Sequence, residues 1–262
     1  MKKRKPKPMH DHQSLRAPGP LLLALEGRVA WEVGATLATL PWLRRSASGD
    51  GHAVVVYPGL VASDLSTLPL RTFLRQRGFD AHGWALKRNY GPRKGVLEES
   101  LERVLALRKA SGRRVSLVGW SLGGVYAREI AKLLPGDVRC VITMGTPFTG
   151  TPKATNAWRI YELASGHKLD NPHILHEIRT PPPVPTTSIF SRTDGVVAWQ
   201  CSFQEPGKLA ENIELTASHV GMGLNPATWY AVVDRLAQPE GKWKPFHREG
   251  WREFFFPDPH RA

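Results

Sequence analysis

Gly119-Trp120-Ser121-Leu122-Gly123 sets a serine two residues from a glycine on either side. It follows the run Val115–Val118 and opens a helical pattern from Leu122 to Leu134. A G-x-S-x-G segment between a strand and a helix suits a nucleophile elbow. The reason is steric: the glycines lack β-carbons, so strand and helix approach closely. The serine hydroxyl then projects at the carboxyl edge of the sheet, near a helix N-terminus that favours negative charge. A hydroxyl is a weak nucleophile and needs an adjacent base, itself held by a third group.

With the serine on such a turn, the acid and then the base follow it in the chain. Ser191-Arg192-Thr193-Asp194-Gly195 comes after the predicted strand Thr186–Phe190. Ala217-Ser218-His219-Val220-Gly221 comes after the predicted strand Ile213–Leu215. Asp194 and His219 therefore take the acid and base roles. The plain alternatives are a turn at Asp194-Gly195 and a surface histidine at 219. His52 and His82 precede the elbow; His10 and His12 lie in the tail; His167, His173 and His176 fall in an irregular stretch; His247 and His260 lie near the C-terminus. Asp137, Asp170, Asp234, Glu205 and Glu214 are less well placed than Asp194, and Asp234 is read as solvated surface.

A developing oxyanion needs backbone donors. Leu122 N–H follows the nucleophile. The second donor is assigned to Tyr57-Pro58-Gly59-Leu60-Val61, where Pro58 has no N–H. Leu60 is the choice, with Gly59 permitting close approach and Val61 the alternative.

These residues need a scaffold. Val54–Val56 before Pro58-Gly59 reads as a buried strand. Helices are expected over Leu68–Gln76, Glu98–Lys109, Leu122–Leu134, Asn156–Leu163 and Pro226–Ala237, and strands over Asp80–Leu86, Val115–Val118 and Arg139–Met144. Alternation at this spacing predicts a mainly parallel sheet covered by helices. Residues 146–183 break the rhythm with several prolines and read as a lid or cap insertion within a domain over 52–238. Residues 21–45 carry apolar positions 22, 25, 29, 33, 37 and 40, a helical stripe expected to face the core; a lipid-surface helix is the alternative. Residues 239–262 are aromatic and proline-rich, an extended strap or a partner-binding tail.

The chain has 262 residues, 41% apolar and 23% charged, which excludes disorder over most of its length. Two cysteines exclude a disulfide framework or a cysteine-rich zinc site. The net charge is +13. Residues 1–16 hold six basic residues against one acid, within a tail over 1–20. This tail is read as a solvated arm, with an anionic membrane surface as the alternative partner. No nucleic-acid module accompanies it. Leu21–Leu25 is too short for the core of a secretory signal, so a cytoplasmic location is expected and secretion disfavoured.

From His52 to Ala237 the chain resembles the α/β-hydrolase superfamily, and within it small bacterial esterase/lipase-like serine hydrolases. The resemblance rests on Gly119–Gly124, Gly145-Thr146-Pro147 with Gly150, Asp194-Gly195-Val196-Val197 and Ser218-His219. It implies an α/β-hydrolase fold, a triad of Ser121, Asp194 and His219, and two-step acyl transfer from an ester with no cofactor or metal. Many relatives carry His-Gly where this chain has Pro58-Gly59, and histidine where it has Trp120. Trp120, Phe148 and Trp158 are assigned to an acyl pocket, and a lipid or medium-chain ester is the favoured substrate. An acyltransferase on the same triad, and a non-catalytic binding protein, are the alternatives.

Overall fold

The computed structural model describes residues 15–166, 178–205 and 207–261. The first fourteen tail residues, with His10 and His12, lie outside the described residues, as does the part of the proposed lid with His167, Asp170, His173 and His176.

The chain enters through a short helix α1 (Pro20–Ala24), a 3-10 turn and α2 (Val29–Leu43). Strand and helix then alternate: β1 (Ala53–Tyr57), α3 (Asp64–Gln76), β2 (Asp80–Gly83), α4 (Val96–Ser111), β3 (Val115–Trp120), α5 (Leu122–Leu133) and β4 (Val138–Met144). After α6 (Trp158–Ser165) come β5 (Thr186–Phe190), β6 (Ala210–Glu214), α7 (Pro226–Leu236) and a one-turn α8 (Arg252–Phe255). The strands form one six-stranded sheet, ordered β2-β1-β3-β4-β5-β6, with every pairing parallel.

Both faces of this sheet are covered, and its central strands β1, β3 and β4 are mainly apolar. Val54 and Val56 of β1 pack with α3 and α7; Ala53, Val55 and Tyr57 pack with α4 and α5. Because all strands run parallel, their carboxyl ends lie on one edge. The segments after β1, β3, β5 and β6 carry Leu60, Ser121, Asp194 and His219 to that edge.

Several expected boundaries move. Helix α3 begins at Asp64, before Pro69, which hid the first turn from a pattern reading. β2 stops at Gly83, because the Asp64 carboxylate accepts Trp84 N–H and Ala85 N–H and turns the chain out of the sheet. The stripe expected to face the core from residues 21–45 does so only in part: Leu40 packs against the core and Leu22, Val29 and Val33 are half-buried. Leu25 and Leu37 are exposed, and the buried positions of α2 are Glu32, Thr36 and Leu43. The segment packs on α7 and on the polar loop after β6, so its inward face is partly polar. Asp234, expected at a solvated surface, pairs with Arg235 and Arg252.

The elbow glycines leave no room for a side chain. A β-carbon on Gly119 would lie 2.3 Å from Gly124 Cα, one on Gly123 would lie 2.4 Å from Tyr57 O, and one on Gly124 would lie 2.0 Å from Thr146 Oγ1. Gly124→Ala should therefore destabilise the fold by about 2 kcal/mol through overpacking, read as a lower denaturation midpoint with an unchanged slope.

Candidate active site

Ser121 holds φ 53° and ψ −124°, a conformation that non-glycine residues rarely adopt. The turn is fixed by Ser121 N–H donating to Met144 O at 2.8 Å. Its Oγ lies 2.9 Å from His219 Nε2, and His219 Nδ1 lies 2.7 Å from Asp194 Oδ2. The second oxygen of Asp194 accepts Val196 N–H at 2.8 Å and Val197 N–H at 2.7 Å, which aims the carboxylate at the ring. Gly145 crosses beside this pair at φ 57°, where a β-carbon would stand 3.1 Å from His219 Nδ1. That close approach gives a physical reason for glycine after β4.

Leu122 is the first residue of α5, so its N–H has no acceptor within the helix. Across the site, Val61 N–H donates to Asn89 O at 2.7 Å and is committed there. Leu60 of the same loop shares a cavity wall with Ser121 and Leu122. Fully buried Asn89 also donates through Nδ2 to Pro58 O at 2.8 Å, bracing the Pro58-Gly59 loop from behind. Sequence reasoning missed this support, which comes from 31 residues downstream of Pro58.

The cavity over Ser121 encloses about 470 Å³. Phe148 and Trp158 line it with Leu60, Leu97, Leu122, Val125 and Tyr126. Trp120 does not line this cavity. Its indole Nε1 donates to His219 O at 3.0 Å and its ring covers Gly223, so it props the histidine loop from the other side of the sheet. Residue 120 still belongs to β3, whose alternation sends its side chain away from the cavity.

Two acids of the N-terminal segment were also missed. Glu26 Oε1 accepts Gly195 N–H at 2.7 Å and His219 N–H at 2.9 Å, and its Oε2 accepts Val220 N–H at 2.8 Å. Glu32 accepts Ser218 N–H at 2.6 Å and the Ser218 hydroxyl at 2.7 Å. Together they tie the acid loop to the base loop. The only sequence signal was two carboxylates interrupting an apolar stretch.

Burial alone would depress the His219 imidazole; the Asp194 carboxylate, and behind it Glu26, outweigh this and hold its pKa above the ordinary value. A second Asp–His–Ser chain shows the opposite case. His52 Nδ1 meets Asp50, and His52 Nε2 lies 2.8 Å from Ser116 Oγ, at the amino edge of the sheet. There burial dominates and pushes the His52 pKa down. Ser116 is fully buried, so its hydroxyl meets no substrate.

The profile of the Alpha/beta hydrolase family matches residues 30–254. No curated protein matches the chain in sequence. Among solved structures, lipase B of Aspergillus fumigatus superposes with a TM-score of 0.58 at 18% identity, covering 72% of this chain. The match spans about half of that enzyme, 53% of its length. Lipase BlEst2 of Bacillus licheniformis gives 0.55 at 16% identity, covering 74% of this chain and 95% of that one. The monoacylglycerol lipase of Paleococcus ferrophilus gives 0.51 at 14% identity, covering 73% and 96%.

Two outcomes test the loop clamp. A raised His219 pKa puts the acid limb of kcat/KM above the ordinary histidine value of about 6.5. Glu26→Gln removes a negative charge that favours the imidazolium, so that limb should move to lower pH. Glu32→Ala strands the buried Ser218 N–H and should lower unfolding stability by about 2 kcal/mol.

Proposed function

The chain belongs to the alpha/beta hydrolase family, and on that premise we propose that it hydrolyses carboxylic esters, with Ser121 as nucleophile, His219 as general base and Asp194 as its orienting acid. The observation that carries this reading is the unbroken hydrogen-bonded chain from Asp194 through His219 to Ser121, ending in an apolar cavity. His219 takes the Ser121 proton as Oγ attacks the ester carbonyl. The carbonyl oxygen becomes negative and is met by the N–H groups of Leu60 and Leu122. Asp194 keeps the ring in the tautomer that presents Nε2 to the serine and stabilises the imidazolium. The imidazolium then returns the proton to the leaving alcohol. Water, deprotonated by His219, attacks the acyl-enzyme and releases the acid.

The apolar wall of the cavity, with Leu60, Leu97, Val125, Phe148 and Trp158, supports an acyl chain on the acid side of the ester. A lipid or medium-chain acyl ester fits this wall better than a short polar one. The same intermediate passes its acyl group to an alcohol where one replaces water, so the acyltransferase reading uses the same residues. An intact Ser–His–Asp chain speaks against a purely binding role.

Turnover of p-nitrophenyl acyl esters tests this reading. Ser121→Ala and His219→Ala should each lower kcat by at least about a thousandfold while the protein stays folded. Wild-type kcat/KM should rise by up to about fourfold per added methylene until the cavity is full. Wild-type rates in either variant would refute the assignment. Added alcohol acceptors separate hydrolysis from transfer by the new ester they yield.

A further inference from the structure

We propose that the face built by α2 and the C-terminal strap docks this protein on an anionic lipid surface. Trp31, Ala35, Thr39 and Trp42 recur at helical spacing and form one wall of a groove of about 670 Å³. Tyr230 of α7 and Trp251, Phe254 and Phe255 of the strap form the other. Trp31 is 80% exposed and Phe254 88% exposed, although both are large apolar rings. Isolated exposed apolar residues are ordinary, but a contiguous set around one groove marks an interaction surface.

This face is built rather than frayed. Trp42 stacks on Tyr230 at 5.3 Å, and Trp251 meets Trp42 at 4.8 Å and Tyr230 at 5.2 Å, edge on. Phe246 and Phe256 anchor the strap in the core. Trp42, Tyr230 and Trp251 therefore form a fixed floor beside the exposed Trp31 and Phe254.

Charge selects the partner. Residues 1–45 hold nine basic residues against three acids. Two of those acids, Glu26 and Glu32, are turned inward onto the loop of His219. Among the described residues of this segment, Arg16, Arg44 and Arg45 are exposed, the last two directly beyond Trp42, whereas Arg28 is turned inward onto Thr193. The strap is near neutral, with five basic and four acidic residues from Pro239 to Ala262. A twofold contact with a second copy would set the same basic segment against itself. An anionic bilayer instead offers an apolar layer for Trp31 and Phe254 and phosphate for the arginines, the arrangement that tryptophan and arginine adopt at membrane interfaces. Among the described residues no helix is long and apolar enough to cross a membrane.

Co-sedimentation of the full chain with vesicles tests this without reference to turnover, so it stands or falls separately from the ester reading. The vesicles are phosphatidylglycerol and phosphatidylcholine in equal parts, against phosphatidylcholine alone. Wild type should partition to the mixed vesicles and release at high salt. Trp31→Ser with Phe254→Ser should weaken partition at least tenfold. Arg44→Gln and Arg45→Gln should each weaken it by up to about fivefold. The melting temperature and the hydrolysis of a soluble short ester should stay at wild-type values. Absence of wild-type partition, equal partition to phosphatidylcholine alone, or an unaffected double variant would each overturn the proposal. So would a wild-type dimer that the double variant converts to monomer, which would assign the face to self-association.

Discussion

The whole site depends on how closely α5 approaches β3, β1 and the turn after β4. Gly119, Gly123 and Gly124 leave no room for a β-carbon against Gly124, Tyr57 and Thr146 respectively. That contact forces Ser121 into its positive-φ conformation and lifts Oγ out of the backbone. The strain is local, and a fully buried parallel sheet over-determines it from both sides. The same approach sets Leu122 at the start of α5, on the cavity wall it shares with Ser121 and Leu60, so the proposed nucleophile and oxyanion donors depend on one steric condition.

Parallel topology does the rest of the positioning. It delivers four separate loops to one edge, but each loop needs holding. Asn89 braces the loop with Leu60; Glu26 and Glu32 hold those with Asp194 and His219; Trp120 supports the last from the other side. The N-terminal segment is thus part of the site, although it contributes no group to the cavity over Ser121. The paired histidines show how environment decides chemistry. His52 and His219 have the same kinds of partner, yet one is sealed at the amino edge with its pKa lowered, and the other reaches Ser121 at the carboxyl edge with its pKa raised.

The sequence made the local features readable and left the long-range ones hidden. Strand Thr186–Phe190 and the elbow were legible because β-branched runs, glycines and helix starts are short-range signals. The meeting of Asp194 and His219 with Ser121 was legible because parallel topology brings the segments just past strands to one edge. Glu26 and Glu32 were not, since their partners lie more than 160 residues away and nothing local announces them. Trp120 lies away from the cavity because strand alternation sends neighbouring side chains to opposite faces, which adjacency to Ser121 in sequence does not report. The stripe from Leu22 to Leu40 is covered only in part; apolar spacing reports a helix but not which face is buried. Here the covered face carries two polar residues, and apolar rings lie outside.

The central claim is that Ser121 is an activated nucleophile made so by His219. Labelling the folded chain with a fluorophosphonate, then mapping tryptic peptides by mass, tests it with no assumption about substrate. The account predicts one adduct, on the Val115–Arg128 peptide at Ser121, formed by wild type and lost in His219→Ala. Adduct on another residue, or no adduct on folded wild type with or without detergent, would contradict it.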